Sequence, residues 1–343
     1  LAFKGNYAFQ GNYNGVIVWD ISNPANPVLV NDYECPASQS DVSVYGNLLF
    51  VSGEGLGGRI DCGTEGVQEA VSAVRLRGIR IFDITDIQNP EYIANVQTCR
   101  GSHTHSVLKD PNDDENIYVY VSGSYVVRPD EELAGCSDLQ PEEDLNSALF
   151  RIEVIKVPLD SPEEAAIVSS PRIFEDLQAP PTHGLAPADI AAMEAAKAAG
   201  AYTVVLGGTE RILPGRYVQG LLESIVQQRG GEGAPTADDS STLRNNIQTM
   251  VDAMFGGGND DVTARRGPDQ CHDITLYPEL GIAGGACEGY GLLLDISDPA
   301  NPVRIDAVAD SNFAYWHSAT FNNSGDKVIF TDEWEIGRAV QQE

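Results

Sequence analysis

The stretch Val16-Ile17-Val18-Trp19-Asp20-Ile21-Ser22, followed by Asn26-Pro27, returns twice along the chain with the same spacing. The copies are Ile79–Thr85 with Asn89-Pro90, and Leu292–Ser297 with Asn301-Pro302. In each copy an apolar, β-rich run leads into Asp-Ile-Ser or Asp-Ile-Thr, then a turn with Asn and Pro, then a second apolar run. This unit predicts a β-hairpin, because the Asp accepts hydrogen bonds from turn amides and the Pro stops the first strand.

A second pair of short strands precedes each hairpin. The pairs begin near Asp41, His105, His272 and His317. Four short strands in each repeat are typical of a β-propeller blade. The sequence therefore predicts an all-β protein, a β-propeller with about five four-stranded blades, of which the third carries a degenerate hairpin from Phe150 onward. We expect both end blades to be incomplete, the first without an innermost strand and the last without an obvious outer pair.

The β pattern stops between Leu177 and Gly267. Three segments there have helix-forming composition instead, namely Pro187–Ala199, Tyr217–Arg229 and Thr236–Phe255. We therefore expect residues 185–262 to be mainly helical and to pack outside the blade cores. The predicted domains are residues 1–176 with blades one to three, residues 177–267 with the helical insertion, and residues 268–343 with blades four and five.

The charge of the chain excludes nucleic acid as a general partner. Its 343 residues include 51 acidic and 21 basic ones, a formal net charge of -30, so a phosphate backbone repels it. No apolar run reaches the roughly 18 residues of a membrane-spanning helix, so we expect no membrane span within the chain. The partner that we expect is a protein or another component of the cell surface.

Six cysteines occur without a Cys-x-x-Cys pair, which favours disulfides over zinc or thioredoxin-like sites. Disulfides persist in oxidising compartments, so we expect an exported protein that is extracellular, at the cell surface or periplasmic. The chain begins at Leu1, and either a signal peptide has been removed or the N-terminus is missing; both possibilities stay open. The predicted pairs are Cys271–Cys287 within one hairpin, Cys62–Cys136 between two loops, and Cys35–Cys99.

Three histidines occupy the same predicted position, the start of an innermost strand, in three repeats: His105, His272 and His317. Innermost strands line the axis of a propeller, so we expect these side chains to converge there. Neutral imidazoles bind Zn, Cu or Fe, and the sequence therefore predicts a transition-metal site at the channel mouth. Candidates for a further ligand or an outer hydrogen-bonding partner are His103, Asp41, Asp273 and Glu333. In the alternative interpretation each histidine braces its own blade and binds no metal.

Acidic clusters form a second class of candidate site. Several carboxylates that could bind calcium occur in Asp110–Glu115, Asp130–Glu132, Glu142–Asp144 and Asp260-Asp261. None has the spacing of an EF-hand loop, so solvation of an acidic surface is the competing interpretation. His183 has no partner in the sequence pattern and is expected at the surface. No Gly-x-Ser-x-Gly nucleophile motif occurs.

Four motifs together resemble one known family. The Asp-Ile-Ser-Asn-Pro-Ala-Asn-Pro signature from Asp20 to Pro27 accompanies Gly101–His105, Gln270–Thr275 and Trp316–Phe321. In this combination the chain resembles the LVIVD-repeat family of bacterial exported β-propellers. The resemblance implies a propeller fold and an exported location, and it implies no particular reaction. We therefore expect an exported binding or structural module at the cell surface or in the periplasm, with a metalloenzyme built on a His-lined axial site as the alternative.

Overall fold

A computed structural model divides the chain into two compact units. The described residues are 1–149, 151–177, 187–206, 209–231, 233–255, 270–310, 313, 315–333 and 339–342. One unit comprises Leu1–His183 with Gly267–Glu343, and the other comprises Gly184–Arg266. The first unit contains the blades, and the second lies within the predicted insertion. The predicted domain boundaries at 177 and 267 lie beside or inside undescribed segments, so they remain predictions.

Five antiparallel sheets follow one another along the described part of the first unit, and we call them blades one to five. Blade one contains β1 (Ala2–Lys4), β2 (Tyr7–Asn12), β3 (Gly15–Asp20) and β4 (Val28–Glu34). Blade two contains β5 (Val42–Tyr45), β6 (Leu48–Gly53), β7 (Gly78–Asp83) and β8 (Glu91–Gln97). Blade three contains β9 (Thr104–Lys109), β10 (Asn116–Ser122), β11 (Glu153–Pro158) and β12 (Ala166–Ser169).

The insertion adds a separate hairpin before the chain returns to the propeller. Its strands are β13 (Thr203–Leu206) and β14 (Thr209–Ile212). Blade four then contains β15 (Asp273–Tyr277), β16 (Ile282–Cys287), β17 (Tyr290–Asp295) and β18 (Val303–Val308). Blade five contains β19 (Trp316–Phe321), β20 (Val328–Asp332) and β21 (Ala339–Gln342).

Blade one is complete, and the prediction that it lacks an innermost strand is wrong. Ala2–Lys4 forms that strand and pairs with β2, with Ala2 opposite Phe9. A strand of three residues is too short to show a periodic pattern, which is why the sequence does not reveal it. Blade five has three strands in the described part of the chain, and the third, β21, supplies one strand of the outer pair that the sequence does not show.

The repeated Asp-Ile-Ser/Thr motif forms the predicted turn in three blades. A carboxylate oxygen of Asp20 accepts a hydrogen bond from the backbone N–H of Ser22 at 2.8 Å. Asp83 and Asp295 accept the same bond from the residue two positions further on, at 2.6 and 2.8 Å. Hydrogen bonds from the side chain and backbone of that residue lower the pKa of each carboxyl. The turn is therefore specified by local contacts that the sequence motif already contains.

Apolar side chains pack between successive blades. The cluster between blades one and two includes Phe9 from the first and Leu49 from the second. Equivalent clusters join blades two and three, three and four, and four and five. Hydrogen bonds cross the same interfaces at the innermost strands; Thr104 Oγ1, for example, donates to the carbonyl oxygen of His272 at 2.7 Å. Consecutive meanders that pack face to face around their inner strands form a β-propeller.

Each of three blades carries its own disulfide. The bonds are Cys35–Cys62 in blade two, Cys99–Cys136 in blade three and Cys271–Cys287 in blade four. The predicted pair Cys271–Cys287 is confirmed, whereas the predicted pairs Cys62–Cys136 and Cys35–Cys99 are wrong. In every case the first cysteine precedes an innermost strand and the second lies at or beyond the end of the next strand. Antiparallel pairing brings these two points together, so each bond ties the segment that leads into a blade to that same blade.

The second unit is mainly helical. Its helices are α1 (Pro187–Ala198), α2 (Gly215–Gln228) and α3 (Ala237–Phe255). The hairpin of β13 and β14 lies between α1 and α2, and the helical prediction did not include it. Val204 of this hairpin packs with Leu221 of α2 and Leu243 of α3 in the core of the unit. Among the described residues, no helix is long and apolar enough to cross a membrane.

Candidate metal centre

A cavity of about 490 Å³, which we call the axial pocket, lies at the edge of the propeller where the innermost strands begin. Because neighbouring strands of a blade are antiparallel, the second strand of each blade ends at that same edge. Side chains from both kinds of strand end therefore meet in the pocket. Its lining includes Ser40 and Asp41 from blade two, His103 from blade three, His272 from blade four, and His317 and Glu333 from blade five.

Three histidines stand in a row across the axial pocket. His103 Nε2 and His272 Nε2 lie 2.9 Å apart, and the ring centroids of His272 and His317 lie 4.0 Å apart. His103 and His272 immediately precede β9 and β15, and His317 is the second residue of β19. All three are partly buried, so they are shielded from bulk water and still reach the cavity.

Hydrogen bonds determine which ring nitrogens carry protons. His103 Nδ1 lies 2.9 Å from a carboxylate oxygen of Glu54, to which it donates. His272 Nδ1 lies 2.9 Å from the carbonyl oxygen of His317, which can only accept, so this Nδ1 is also a donor. The Nε2 atom of a neutral His272 is then an acceptor, and the facing Nε2 of His103 donates to it. In the metal-free protein His103 is therefore an imidazolium paired with Glu54, and His272 is neutral.

The surroundings shift each pKa in the direction that this arrangement requires. The hydrogen bond to Glu54 raises the pKa of His103 against the opposing effect of burial. Burial, and then the charges of His103 and His317, lower the pKa of His272 to about 4. Burial acts to raise the pKa of Glu54, but the hydrogen bond and charge of His103 outweigh it and lower that pKa. Ser124 Oγ assists by donating to the other oxygen of Glu54.

The donor atoms suit a transition-metal ion. One ligand atom each from His272, His317 and Glu333 lies within 4.8 Å of the other two. Zn, Cu and Fe bind imidazole nitrogen and carboxylate oxygen, with metal–nitrogen distances of about 2.0–2.1 Å for zinc. Two nitrogens 2.9 Å apart, such as Nε2 of His103 and of His272, can therefore both reach one ion. Their Nδ1 atoms already bond to a carboxylate and a carbonyl, the outer partners that metal-bound histidines usually have.

His105 stands apart from these three histidines, although the sequence predicts that it joins them. Its side chain is fully buried, and its Nδ1 lies 2.8 Å from Ser52 Oγ. In blade three His105 pairs with Val121. The equivalent pair in blade four is Ile274 with Gly285. His105 therefore occupies a core position, and the residue equivalent to His272 is His103, two positions earlier.

The sequence patterns do not single out Glu54 and Ser124, which orient the first histidine. Both follow a shared Val-Ser-Gly segment at the end of a second strand, Val51–Gly53 in blade two and Val121–Gly123 in blade three. Phe330 of blade five occupies the same register as Val51 of blade two. Glu333 lies three residues beyond Phe330, just as Glu54 lies three residues beyond Val51. An alignment of the second strands, in addition to the first, is the signal that finds these residues.

The remaining sequence candidates lie outside the histidine cluster. Asp41 lines the axial pocket, and its Oδ2 accepts a hydrogen bond from the backbone N–H of His105 at 3.1 Å. Burial, and then the charge of Asp41, raise the pKa of Asp273. Asp110 accepts a hydrogen bond from the backbone N–H two residues further on, as a turn-capping residue does, and calcium binding at the acidic loops remains a prediction. His183 and Asp260-Asp261 lie outside the described residues.

Comparison with known protein families identifies the repeat. Residues 1–35 match the sequence profile named LVIVD repeat. The chain carries an LVIVD repeat. This repeat is found in β-propeller-type proteins, in agreement with the successive blades described above. The resemblance drawn from the sequence motifs is thereby confirmed over residues 1–35. Among curated proteins, no match to the sequence was found.

Several solved structures are similar to the chain at low sequence identity. A candidate 6-phosphogluconolactonase of Bacteroides fragilis is similar over 98% of this chain and 65% of its own length, with 8% identity and a TM-score of 0.42. The chain thus spans less than two thirds of that protein. A periplasmic gluconolactonase of Pseudomonas aeruginosa is similar over 94% of this chain and 75% of its own, with 12% identity and a TM-score of 0.37. At these values the likeness carries no information on function.

Proposed function

We propose that this protein is an exported β-propeller that binds a transition-metal ion in its axial pocket. His103, His272 and His317 are the nitrogen ligands, and Glu333 is the oxygen ligand at the exposed edge. One observation carries the proposal: His103 Nε2 and His272 Nε2 approach within 2.9 Å while outer partners hold both Nδ1 atoms. The binding role expected from the sequence is then located on the propeller axis.

The contacts of the histidines argue against simple bracing of individual blades. His103 bonds to Glu54 of blade two and faces His272 of blade four. His272 in turn bonds to the backbone of His317 in blade five. None of these bonds stays within one blade. A metal ion would replace the proton between the two Nε2 atoms. The imidazolium of His103 would then no longer be held against the partly buried imidazole of His272, an arrangement that costs free energy.

Catalysis at the same metal is the second candidate function. Structural zinc sites are closed by four protein ligands, whereas catalytic sites keep one position open to substrate. In this second candidate the three histidines alone bind the ion, so its fourth position opens to the cavity of about 490 Å³, which the exposed Glu333 also lines. That volume lies within the roughly 300–1,000 Å³ of small-molecule sites. A metal ion at this wall could polarise an oxygen atom of a bound molecule, which supports hydrolytic or redox chemistry.

Three disulfides support an extracytoplasmic location, because such bonds persist in oxidising compartments. We place the protein at the cell surface or in the periplasm. The formal net charge of -30 favours the approach of cations over long distances, in agreement with a metal ligand. A protein or cell-surface partner, expected from the sequence, remains a prediction.

Metal analysis of the purified protein, followed by calorimetric titration of the chelated protein with Zn²⁺ and Cu²⁺, tests the proposal. We expect about one ion per chain, since the donors of His272, His317 and Glu333 form one group and His103 Nε2 adjoins it through His272. His272→Ala should abolish binding, because it removes the central ligand of the row. Glu54→Gln should lower the affinity by about 10- to 100-fold, the usual effect of removing the outer partner of a ligand histidine.

His105→Gln is the matched control, because His105 lies two residues from His103 and outside the cluster. This variant should keep the metal stoichiometry of the wild type, with folding verified by circular dichroism. Wild-type metal content in a folded His272→Ala variant would contradict the proposal. Loss of metal from a folded His105→Gln variant would contradict it as well, because His105 would then be a ligand, as the sequence predicts.

A further inference from the structure

Blade one leaves apolar side chains exposed on one face of its sheet. Side chains alternate along a strand, so this face is the one that points away from Phe9 and Val18, which pack against blade two. We call it the back face, and one row of residues crosses all four of its strands, namely Phe3, Ala8, Trp19 and Leu29. Phe3 is 61% exposed and Leu29 is 54% exposed. Contiguous apolar surface that is exposed indicates a site of interaction.

The equivalent row of the next blade shows what such a row packs against. Trp19 and Phe82 both precede the Asp of the repeated turn motif, so they are equivalent residues. The row through Phe82 consists of Val44, Leu49, Phe82 and Tyr92. All four side chains belong to the apolar cluster that packs blade two against blade one. The row on the back face therefore has the position of a sheet-packing surface, and the partner that fits it is a second β-sheet.

The free face of blade five does not complement this row. Val328 and Phe330 pack against blade four, so their neighbours along and across the strands point the other way. Those neighbours are Ser318, Thr320, Ile329 and Thr331, of which only Ile329 is apolar. The hydroxyl groups of Ser318 and Thr331 lie 2.7 Å apart and bond to each other. Packing these hydroxyl-bearing side chains on Phe3 and Leu29 would bury polar groups against apolar ones, which costs free energy.

The back face complements a second copy of itself. A two-fold axis that runs along the strands, between β2 and β3, places β2 of one copy over β3 of the other. Ala8, the smallest residue of the row, then lies opposite the second copy's Trp19, the largest, and Phe3 lies opposite the second copy's Leu29. Two sheets pack about 10 Å apart, and large side chains opposite small ones let them interdigitate. The order of residues along the row therefore suits a symmetric dimer.

The distribution of charge favours the same contact. Each copy has a formal net charge of -30, so two copies repel each other over most of their surface. Within its four strands the back face carries charge only at Asp32 and Glu34, both on the outermost strand, β4. In the two-fold arrangement β4 lies over β1, which is only three residues long. Both carboxylates therefore extend past the end of β1 and keep their contact with water.

We propose that two copies of this chain associate through the back faces of their first blades, related by a two-fold axis. Strands of six residues in a four-stranded sheet cover about 20 Å by 19 Å, so each copy contributes about 400 Å². A stable complex buries about 800 Å² on each partner, so this contact is weak, with a Kd of about 10–300 µM. None of the four residues in the row lines the axial pocket, so the dimer is independent of the proposed metal site.

Sedimentation equilibrium of the full chain, from about 5 to about 500 µM and with a chelator present, tests this proposal. The chelator excludes dimers that a metal ion joins. We expect a reversible monomer–dimer equilibrium, which should be severalfold tighter in about 0.5 M NaCl than in about 0.05 M, because salt screens the repulsion between the copies. Leu29→Lys should weaken the dimer at least tenfold, since it removes an apolar contact from each half of the interface.

Val28→Lys is the matched control, because Val28 is 62% exposed on the same strand and points to the opposite face of the sheet. Both variants change the charge equally, and circular dichroism verifies that both are folded. Val28→Lys should dimerise as the wild type does. The proposal is overturned if the wild type stays monomeric at about 500 µM or forms oligomers larger than a dimer, since a two-fold contact closes at two copies. It is also overturned if Leu29→Lys dimerises as the wild type does, or if Val28→Lys weakens the dimer equally.

Discussion

In the metal-free protein, the free energy of unfolding of the propeller should decrease as the pH falls from 7.5 to 4.5, because His272 is held neutral. The pKa of His272 is about 4 in the folded protein and about 6.5 in an unfolded chain. Between these values the unfolded state binds a proton that the folded state does not bind, so stability is lost as the pH falls. At about 1.4 kcal/mol for each pKa unit, the loss over this range is about 2–3 kcal/mol.

Below about pH 6.5 the neighbouring ion pair does not oppose this effect, and between pH 7.5 and 6.5 the protonation of His103 partly offsets it. The pKa of His103 is raised, so its stabilising contribution is complete below about pH 6.5 and is lost only as the pH rises through the folded pKa. The pKa of Glu54 is lowered, so its contribution is complete above about pH 4.5 and is lost only at lower pH. Burial lowers the pKa of His105, which acts in the same direction as His272 and is removed by the comparison below.

Urea unfolding of the chelated wild type and of His272→Gln, followed by tryptophan fluorescence, measures the contribution of His272. Gln does not titrate, and it can still donate to the carbonyl oxygen of His317. The three tryptophans belong to the unit that contains the blades, so the helical unit does not contribute to the signal. The difference in unfolding free energy between the two proteins should change by about 2–3 kcal/mol between pH 7.5 and 4.5. A difference that is independent of pH would refute the assignment of a neutral His272.

Three further predictions concern the architecture around the site. Arg80→Met should lower the free energy of unfolding by about 3 kcal/mol or more, because buried carbonyl oxygens lose their donor; an unchanged urea midpoint would contradict this. Replacing Cys271 and Cys287 together by Ala should cost about 3 kcal/mol in the same assay, the loop-closure value for a separation of 16 residues, and an equal midpoint in both proteins would argue against it. Limited proteolysis should cut first near the exposed Gly230, and a first cut inside a blade would be inconsistent with this expectation.

The sequence predicts the blades well because the hairpin motif is stabilised locally. Asp20 bonds to the backbone two residues further on, so the same short motif yields the same turn wherever it occurs. The register between neighbouring strands is not specified by such local contacts. His103 and His105 are both plausible starts of an inner strand, and only pairing with Val121 on the next strand shows that His105 faces the core. The sequence therefore identifies the histidines of the axial pocket as a group, but it does not show which of them occupy equivalent positions.

Contacts between distant segments could not be predicted from the repeat alone. Glu54 reaches His103 from a neighbouring blade, across 49 positions of the chain. The cysteines show the same limit, since spacing alone did not show that Cys35 pairs with Cys62 and not with Cys99. Both assignments depend on which strand ends meet at one edge, a property of the folded sheet and not of any local pattern.

Each disulfide ties the segment that leads into a blade to that same blade, which has a consequence for how such a protein can change in evolution. A genetic duplication or deletion of one whole blade, with the segment that leads into it, adds or removes two cysteines that are already partners. Bonds between blades would instead leave one unpaired thiol on each side of such an event. Proteins with different numbers of blades can therefore descend from one another in an oxidising compartment without passing through an ancestor that carries reactive free cysteines.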